Sequence, residues 1–270
     1  SIYWRIIRTN ADGSIRLLYH GNSPSTTSAV INVESKYSSA SNDPMYVGYM
    51  YGTSGSLENN RTNTNSSVIK TVIDEWYLKH LIQYEQYISL DAVYCSDRNS
   101  ENFDYNSDIN FPTYNRYMNT KVPTYNCSNA YDSFSANNSK ATLICSDNSS
   151  KVCPIGLITI DEIIYSGNIY NVTENKEDHF LYYSSNSAGK SSTSYLGWYT
   201  MSPFKWDSAS SVVRIFSLDG QTSSGLGNIN WGGLTNTFGR AVRPVLSIKG
   251  DGIWKSGDGS ASNPYEIVMN

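Results

Sequence analysis

"FGRAVRPVLSI", residues 238–248, is the most strand-like run in the C-terminal third of a 270-residue chain rich in Ser, Asn and Tyr. It contains two arginines, Arg240 and Arg243. Arg243 precedes a proline, which biases its backbone towards the extended region. Pro244 has no N–H to give to a ladder, so it suits a sheet edge or the first residue of a strand. Period-two alternation places Val242, Leu246 and Ile248 on a buried face, with Arg243 and Ser247 opposite. Arg243 is therefore expected to be structural, its planar fork tying the strand to backbone carbonyls or to a carboxylate. For Arg240 two roles stay open, closing the fold or facing a ligand.

Upstream of this run, "YLGWYTMSPF" and "SSVVRIFSLDGQ" read as further short strands between Gly-, Asn- and Ser-rich turns. Tyr195, Trp198, Tyr199, Phe204, Trp206, Phe216 and Trp231 fall close together here, interleaved with small polar residues. Binding surfaces use this composition, because Tyr and Trp give large contact area with few rotors while Ser and Asn supply adaptable hydrogen bonds. Trp198 and Phe216 lie in strand-like alternation and are expected in the core. Trp206 and Trp231 stand in turn-like contexts and are expected to be exposed. The resulting candidate ligand-binding set is Tyr195, Tyr199, Phe204, Trp206, Asp207, Asn228, Asn230, Trp231, Asn236 and Arg240, with Arg243 and Trp198 as structural residues.

The N-terminal part opens on a hairpin signal, "IYWRIIRTNADGSIRLLYHG", two β-rich arms around Asp12-Gly13. Alternation sets Trp4 and Ile6 on one face and Tyr3, Arg5 and Ile7 on the other. "SSVIKTVIDEWYLKHLIQY" carries apolar residues at three- and four-residue intervals (Val68, Ile69, Val72, Ile73, Trp76, Leu81) and predicts a helix capped by Asn65, Ser66 or Ser67. A shorter helix is predicted in "LITIDEIIYSG", with Thr159 and Glu162 as a capping box and Gly167 as its end. Residues 21–65 and 96–150 lack periodicity and read as long polar loops. Helices mixed with antiparallel strands, with no linker between them, predict an α+β fold in one domain, 1–270.

Only 16% of the residues are charged, and the net charge is -4. The Lys and Arg residues are scattered, which argues against a nucleic-acid partner. Four cysteines, Cys95, Cys127, Cys145 and Cys153, form no CxxC pair and have no neighbouring histidine, so a zinc site is not expected. Of the three possible connectivities, Cys95–Cys127 with Cys145–Cys153 is favoured, because the second pair closes a short polar loop. The chain reads as secreted, and its start inside a strand-like segment as a trimmed ectodomain, with any membrane contact through an N-terminal anchor outside the sequence. The motifs of serine hydrolases, zinc proteases, P-loops and Rossmann sites are missing, and no metal or cofactor is expected. The adjacent carboxylates of Asp161 and Glu162 fit a helix first turn better than a catalytic pair. "SENFDYNSDINF" offers oxygen ligands for Ca²⁺ but lacks EF-hand spacing.

The ordered blocks "YWRIIRTNADGSIRLLYHG", "YVGYMYG", "PIGLITIDEIIYSG", "GWYTMSPF", "GRAVRPVLSI" and "SGDGSASNPYEIV" resemble a family of surface proteins of Gram-positive gut bacteria. The family's C-terminal part looks like the C-type-lectin-like or formylglycine-generating-enzyme-like fold. The resemblance implies two helices around short antiparallel sheets, a closing strand at 239–248 and a displayed ligand face within about 195–240. It also implies a non-enzymatic cell-surface adhesion protein that binds a protein or glycan on another cell, and a variable face of the kind diversified by retroelements. A subunit of a surface appendage or layer is the alternative. The Glu-Pro-Asn, Gln-Pro-Asp and Trp-Asn-Asp signatures of calcium-dependent sugar binding are missing, as are late cysteines and a His-rich helix. Where the family reads G-V-R-P, this chain has Gly239-Arg240-Ala241-Val242-Arg243-Pro244, an insertion expected to form a bulge.

Overall fold

The computed structural model of the chain describes residues 1–26, 29–166, 197–218, 229–235, 240–250 and 254–267, the side chains of 229–234 and 254–255 excepted. Ten strands build its two main sheets: β1 (Tyr3–Thr9), β2 (Ile15–Gly21), β3 (Asn32–Ser35), β4 (Ile109–Asn110), β5 (Ile155–Leu157), β6 (Trp198–Asp207), β7 (Val212–Leu218), β8 (Ile229–Leu234), β9 (Arg240–Val242) and β10 (Pro244–Ile248). The first sheet runs β1-β2-β10-β5, and the second β8-β7-β6-β9-β3 with β4 also on β6. All pairings are antiparallel except β6 with β9, which meet in parallel at Trp198 and Ala241.

The β1–β2 hairpin forms because Gly13 takes φ +81° at the turn, where its N–H bonds the Asn10 carbonyl at 3.0 Å. Register breaks in β1 between Tyr3 and Trp4 and between Ile6 and Arg8 disturb the simple alternation. Ile6 is exposed, while Trp4 and Ile7 pack on the core. The principal helix, α1 (Val68–His80), starts where the Ser67 hydroxyl accepts from the Lys70 N–H. It buries Ile69, Ile73 and Tyr77, and its Trp76 meets Tyr19 and Trp4 edge-on at 5.3 and 6.2 Å. The second helix, α2 (Ile160–Tyr165), carries the complete capping box of Thr159 and Glu162. Its predicted stop, Gly167, lies outside the described residues.

The expected α+β, C-type-lectin-like arrangement of two helices around short sheets is corrected by this architecture. The fold is mostly β, with strands of two to ten residues in two main sheets and several small antiparallel ladders. Beside α1, the helices are short: α2 has six residues, and Leu57–Asn60 and Pro112–Asn115 four each. The stretches without periodicity are also less loop-like than expected. Met50–Tyr51 pairs with Asn65–Ser66, and Tyr94–Cys95 with Ser133–Phe134. Such two-residue ladders depend on distant partners, so no local period announces them. Both expected disulfides are present, Cys95–Cys127 and Cys145–Cys153.

The stretch 238–248 does not form one closing strand. Residues Arg240–Val242 belong to the second sheet and Pro244–Ile248 to the first, so Arg243 stands where the chain changes sheets. β10 is paired on both edges, by β2 and β5, and is also covered on both faces: Arg243 and Ser247 are as buried as Val245. Pro244 is the first residue of its strand. The register breaks between Arg240 and Val242 against β3. Arg243 Nε donates to the Tyr19 carbonyl of β2 at 2.8 Å, and its guanidinium carbon lies 5.1 Å from the Trp198 ring centre of β6. One side chain thus joins both sheets. Arg243→Lys keeps the charge but loses the flat fork and the ring contact. It is expected to lower stability by about 1–3 kcal/mol, read from denaturant unfolding; an unchanged midpoint would refute the clamp.

Candidate functional site

The structure buries most of the described aromatic set expected to face a ligand. Tyr199, Phe204 and Trp206 all lie on β6 inside the core, where Phe204 and Phe216 pack edge-on at 4.9 Å. Trp206 was expected to be exposed and is 4% exposed. Its context looks turn-like only in sequence: β6 runs on to Asp207, and the indole N–H donates to the Tyr105 carbonyl at 3.1 Å. Trp198 is fully buried. Arg240 is buried too, Nε donating to the Ser217 hydroxyl at 3.1 Å. Asp207 accepts from the backbone and hydroxyl of Ser210, closing the β6–β7 turn. Asn230 and Trp231 sit on β8 with undescribed side chains, and Tyr195, Asn228 and Asn236 lie outside the described residues.

A different aromatic group reaches the surface. Tyr125 and Tyr165 are 45% and 50% exposed, with ring centres 4.2 Å apart and planes tilted by 36°. The Arg8 guanidinium carbon stands 4.4 Å from the Tyr125 ring centre. Both groups lie against the Tyr125 ring, which makes a short stack of Arg8, Tyr125 and Tyr165. Val122, 66% exposed, adjoins it through Pro123, whose carbonyl accepts from the Tyr165 hydroxyl at 3.3 Å.

The stack rests on a rigid frame. Tyr165 ends α2 outside the buried stripe of Ile160, Ile163 and Ile164. Tyr125 sits two residues before Cys127, which is bonded to Cys95. The Thr124 N–H donates to Asp161 Oδ1 at 3.1 Å. Arg116 grips both oxygens of Asp161, at 2.7 and 2.8 Å, and reaches Asp97 at 2.5 Å. On the other side Glu162 accepts from Arg8 at 2.8 Å and from Arg16 at 3.1 Å. Beneath lies a cavity of about 20 Å³, lined in part by Arg8, Arg16, Asp97, Arg116 and Asp161, with room for one water molecule.

The charges in this frame are spent on one another. Burial raises the Glu162 carboxyl, but Arg16, Arg8 and the Thr159 N–H outweigh it and leave the group below its ordinary value. Burial lifts Asp97 above its ordinary value against the pull of Arg116. Burial would lower the Arg116 guanidinium, yet its two carboxylate partners hold it higher than usual. Burial, then the nearby Glu162 charge, push the Tyr125 phenol up to about 12. Asp97, Asp161 and Glu162 thus each face a guanidinium, and the pairs tie Arg8 and the Thr124 loop to α2.

The loop offered for calcium is likewise committed. Asp104 accepts from Asn106 and Ser107. Asp108 bonds Lys205 and Ser208, which hold its carboxyl at about 2. Among the described residues no group of three or more His, Cys, Asp or Glu is placed to hold a metal, and no helix is long and apolar enough to cross a membrane. A polar groove of about 600 Å³ beside the β1–β2 turn is lined by Asp12, Ser89, Asp91, Asn137 and Lys249, and it has no aromatic wall.

No family model, no curated protein and no solved structure matches this chain. The Tyr125–Tyr165 stack was missed in the sequence because its members are 40 residues apart and each follows a segment read for something else. One signal was available. In "IDEIIYSG" the residue after the Ile160, Ile163, Ile164 stripe points away from the core, so Tyr165 had to be a surface ring.

Proposed function

We propose that the chain is a non-enzymatic extracellular binding protein that engages a protein or glycan on another cell through the Arg8–Tyr125–Tyr165 stack. The observation that carries this reading is a pair of half-exposed rings held by a disulfide, an ion-pair network and a hydrogen-bonded loop. Rings already fixed lose little freedom on binding, so more of the contact energy appears as affinity. Two disulfides fit an oxidising, extracellular setting.

The alternative, a subunit of a surface assembly, has less support. Among the described residues β1 is one of the two outer strands of its sheet, and it carries two register breaks with Arg5 and Arg8 along it. Irregular, charged edges resist strand-to-strand addition.

Tyr165→Ala and Tyr125→Ala are expected to weaken binding to a glycan array or to cells by about tenfold or more each, the range of a buried aromatic hot spot. Near-ultraviolet circular dichroism would check that the fold persists. Unchanged binding by the folded double variant would overturn the assignment. Loss of self-association, measured by sedimentation, would move the surface to the assembly reading.

A further inference from the structure

Lys70 and Asp74 face each other one turn apart on α1, Nζ to Oδ2 at 2.5 Å, with side chains 0% and 1% exposed. The pair anchors the helix to the loop closed by Cys145–Cys153. Lys70 Nζ also donates to the Ile144 carbonyl at 2.6 Å, and Asp74 Oδ2 accepts from the Ser146 N–H at 2.9 Å. As an ion pair the arrangement is poorly matched. Asp74 Oδ1 is buried without a well-formed hydrogen bond, the Ser146 side chain offering the carboxyl only a weak one. The ammonium has three protons and two hydrogen-bond acceptors among the described residues, with the Tyr49 ring centre 5.9 Å away.

An amide joining the two side chains would keep both hydrogen bonds that tie the pair to the Ile144–Ser146 segment. Its single N–H would keep the Ile144 carbonyl, and its oxygen, the former Oδ2, would keep the Ser146 N–H. The poorly bonded Oδ1 would be gone. We propose that Lys70 and Asp74 join spontaneously into an intramolecular isopeptide bond across this turn of the helix.

The neutral amine attacks the carbon of the protonated carboxyl, the Nζ–Cγ bond forms and the Cγ–Oδ1 bond breaks. Oδ1 leaves as water, taking the carboxyl proton and one amine proton, so no oxidant or activating group is consumed. Burial favours the reactive forms, lowering the Lys70 ammonium and raising the Asp74 carboxyl above their partners' opposing pull. Fixed proximity replaces a bimolecular encounter, and two buried charges are exchanged for one neutral amide. The water leaves past Ser146 towards the exposed residues 147–151.

Intact mass of the purified full chain, reduced and alkylated, tests this. The result expected is a deficit of one water, mapped by fragmentation to the segment holding Lys70 and Asp74, with Lys70 resistant to trypsin. Lys70→Arg should show no deficit, which separates the cross-link from a cyclised Asp elsewhere. Asp74→Asn should lose ammonia in place of water. The full sequence mass in folded wild-type protein would overturn the proposal, as would a water deficit that persists in Lys70→Arg.

Discussion

Asp132→Ala is expected to cost about 3–5 kcal/mol of folding stability, the range for removing one partner of a buried ion pair. Asp132 is fully buried and holds two arginines, Arg98 through Oδ1 at 2.7 Å and Arg61 through Oδ2 at 2.6 Å. Its Oδ2 also accepts the Arg98 backbone N–H at 2.9 Å. Arg98 in turn donates to the carbonyls of Met50, Asn60 and Tyr131 and to the Asn63 side chain. Three polar segments, around 50–63, 96–100 and 129–133, converge on this one carboxylate. Their backbone carbonyls are satisfied by a guanidinium instead of by a long sheet ladder, and the guanidinium is neutralised by Asp132. Without it two buried cations face each other uncompensated, and the desolvation of both persists. Asp132→Asn keeps the shape and removes only the charge, so it should recover a minor part of the loss. Denaturant unfolding of both variants measures this; a loss below about 1 kcal/mol, the scale of a single surface pair, would show that the segments are held by other contacts.

That hub also shows where reading the sequence stopped. The hairpin turn at Gly13, the Ser67 cap, the Thr159–Glu162 box and both disulfides were legible because each depends on residues a few positions apart or on a small set of cysteines. Asp132 carried no such mark. Its partners lie 34 and 71 residues away, in segments whose composition announced only loops. The stretch 238–248 misled for a related reason. Alternation describes a strand with one wet face, and β10 is buried on both faces along its whole length. The aromatic-rich run 198–206 has the composition of a binding surface and the position of a core strand. Composition could not separate the two, because Tyr and Trp serve both uses. The candidate site lay instead on two isolated tyrosines, where helical phase marked one of them and nothing local marked the other.

Glu162→Gln should be nearly as costly, about 3–5 kcal/mol near neutral pH, and its cost should depend on pH. Gln preserves the reciprocal capping bond to Thr159, which a neutral amide oxygen still accepts. What it removes is the charge that balances Arg16, fully buried with its guanidinium 4.2 Å from the Tyr94 ring centre, and Arg8, which stands over Tyr125. The folded carboxyl lies below its ordinary value of 4.5. Its stabilisation is therefore fully present above that value and disappears as pH falls through the folded value. Asp97 works with the opposite sign: burial raises it, so its ionisation takes stability away as pH climbs above 3.8. Acid unfolding of the wild type should accordingly be shallower than Glu162 alone would give, and the gap between wild type and Glu162→Gln should narrow as the pH drops below the ordinary carboxylate value. A gap of equal size at neutral and acid pH would mean that packing, not charge, is what Glu162 supplies. Because Arg8 packs against Tyr125, the same substitution should also loosen that ring. Ligand binding and stability would then fall together in Glu162→Gln, whereas Tyr165→Ala should lower binding with far less effect on the core, and that contrast separates the frame from the surface it holds.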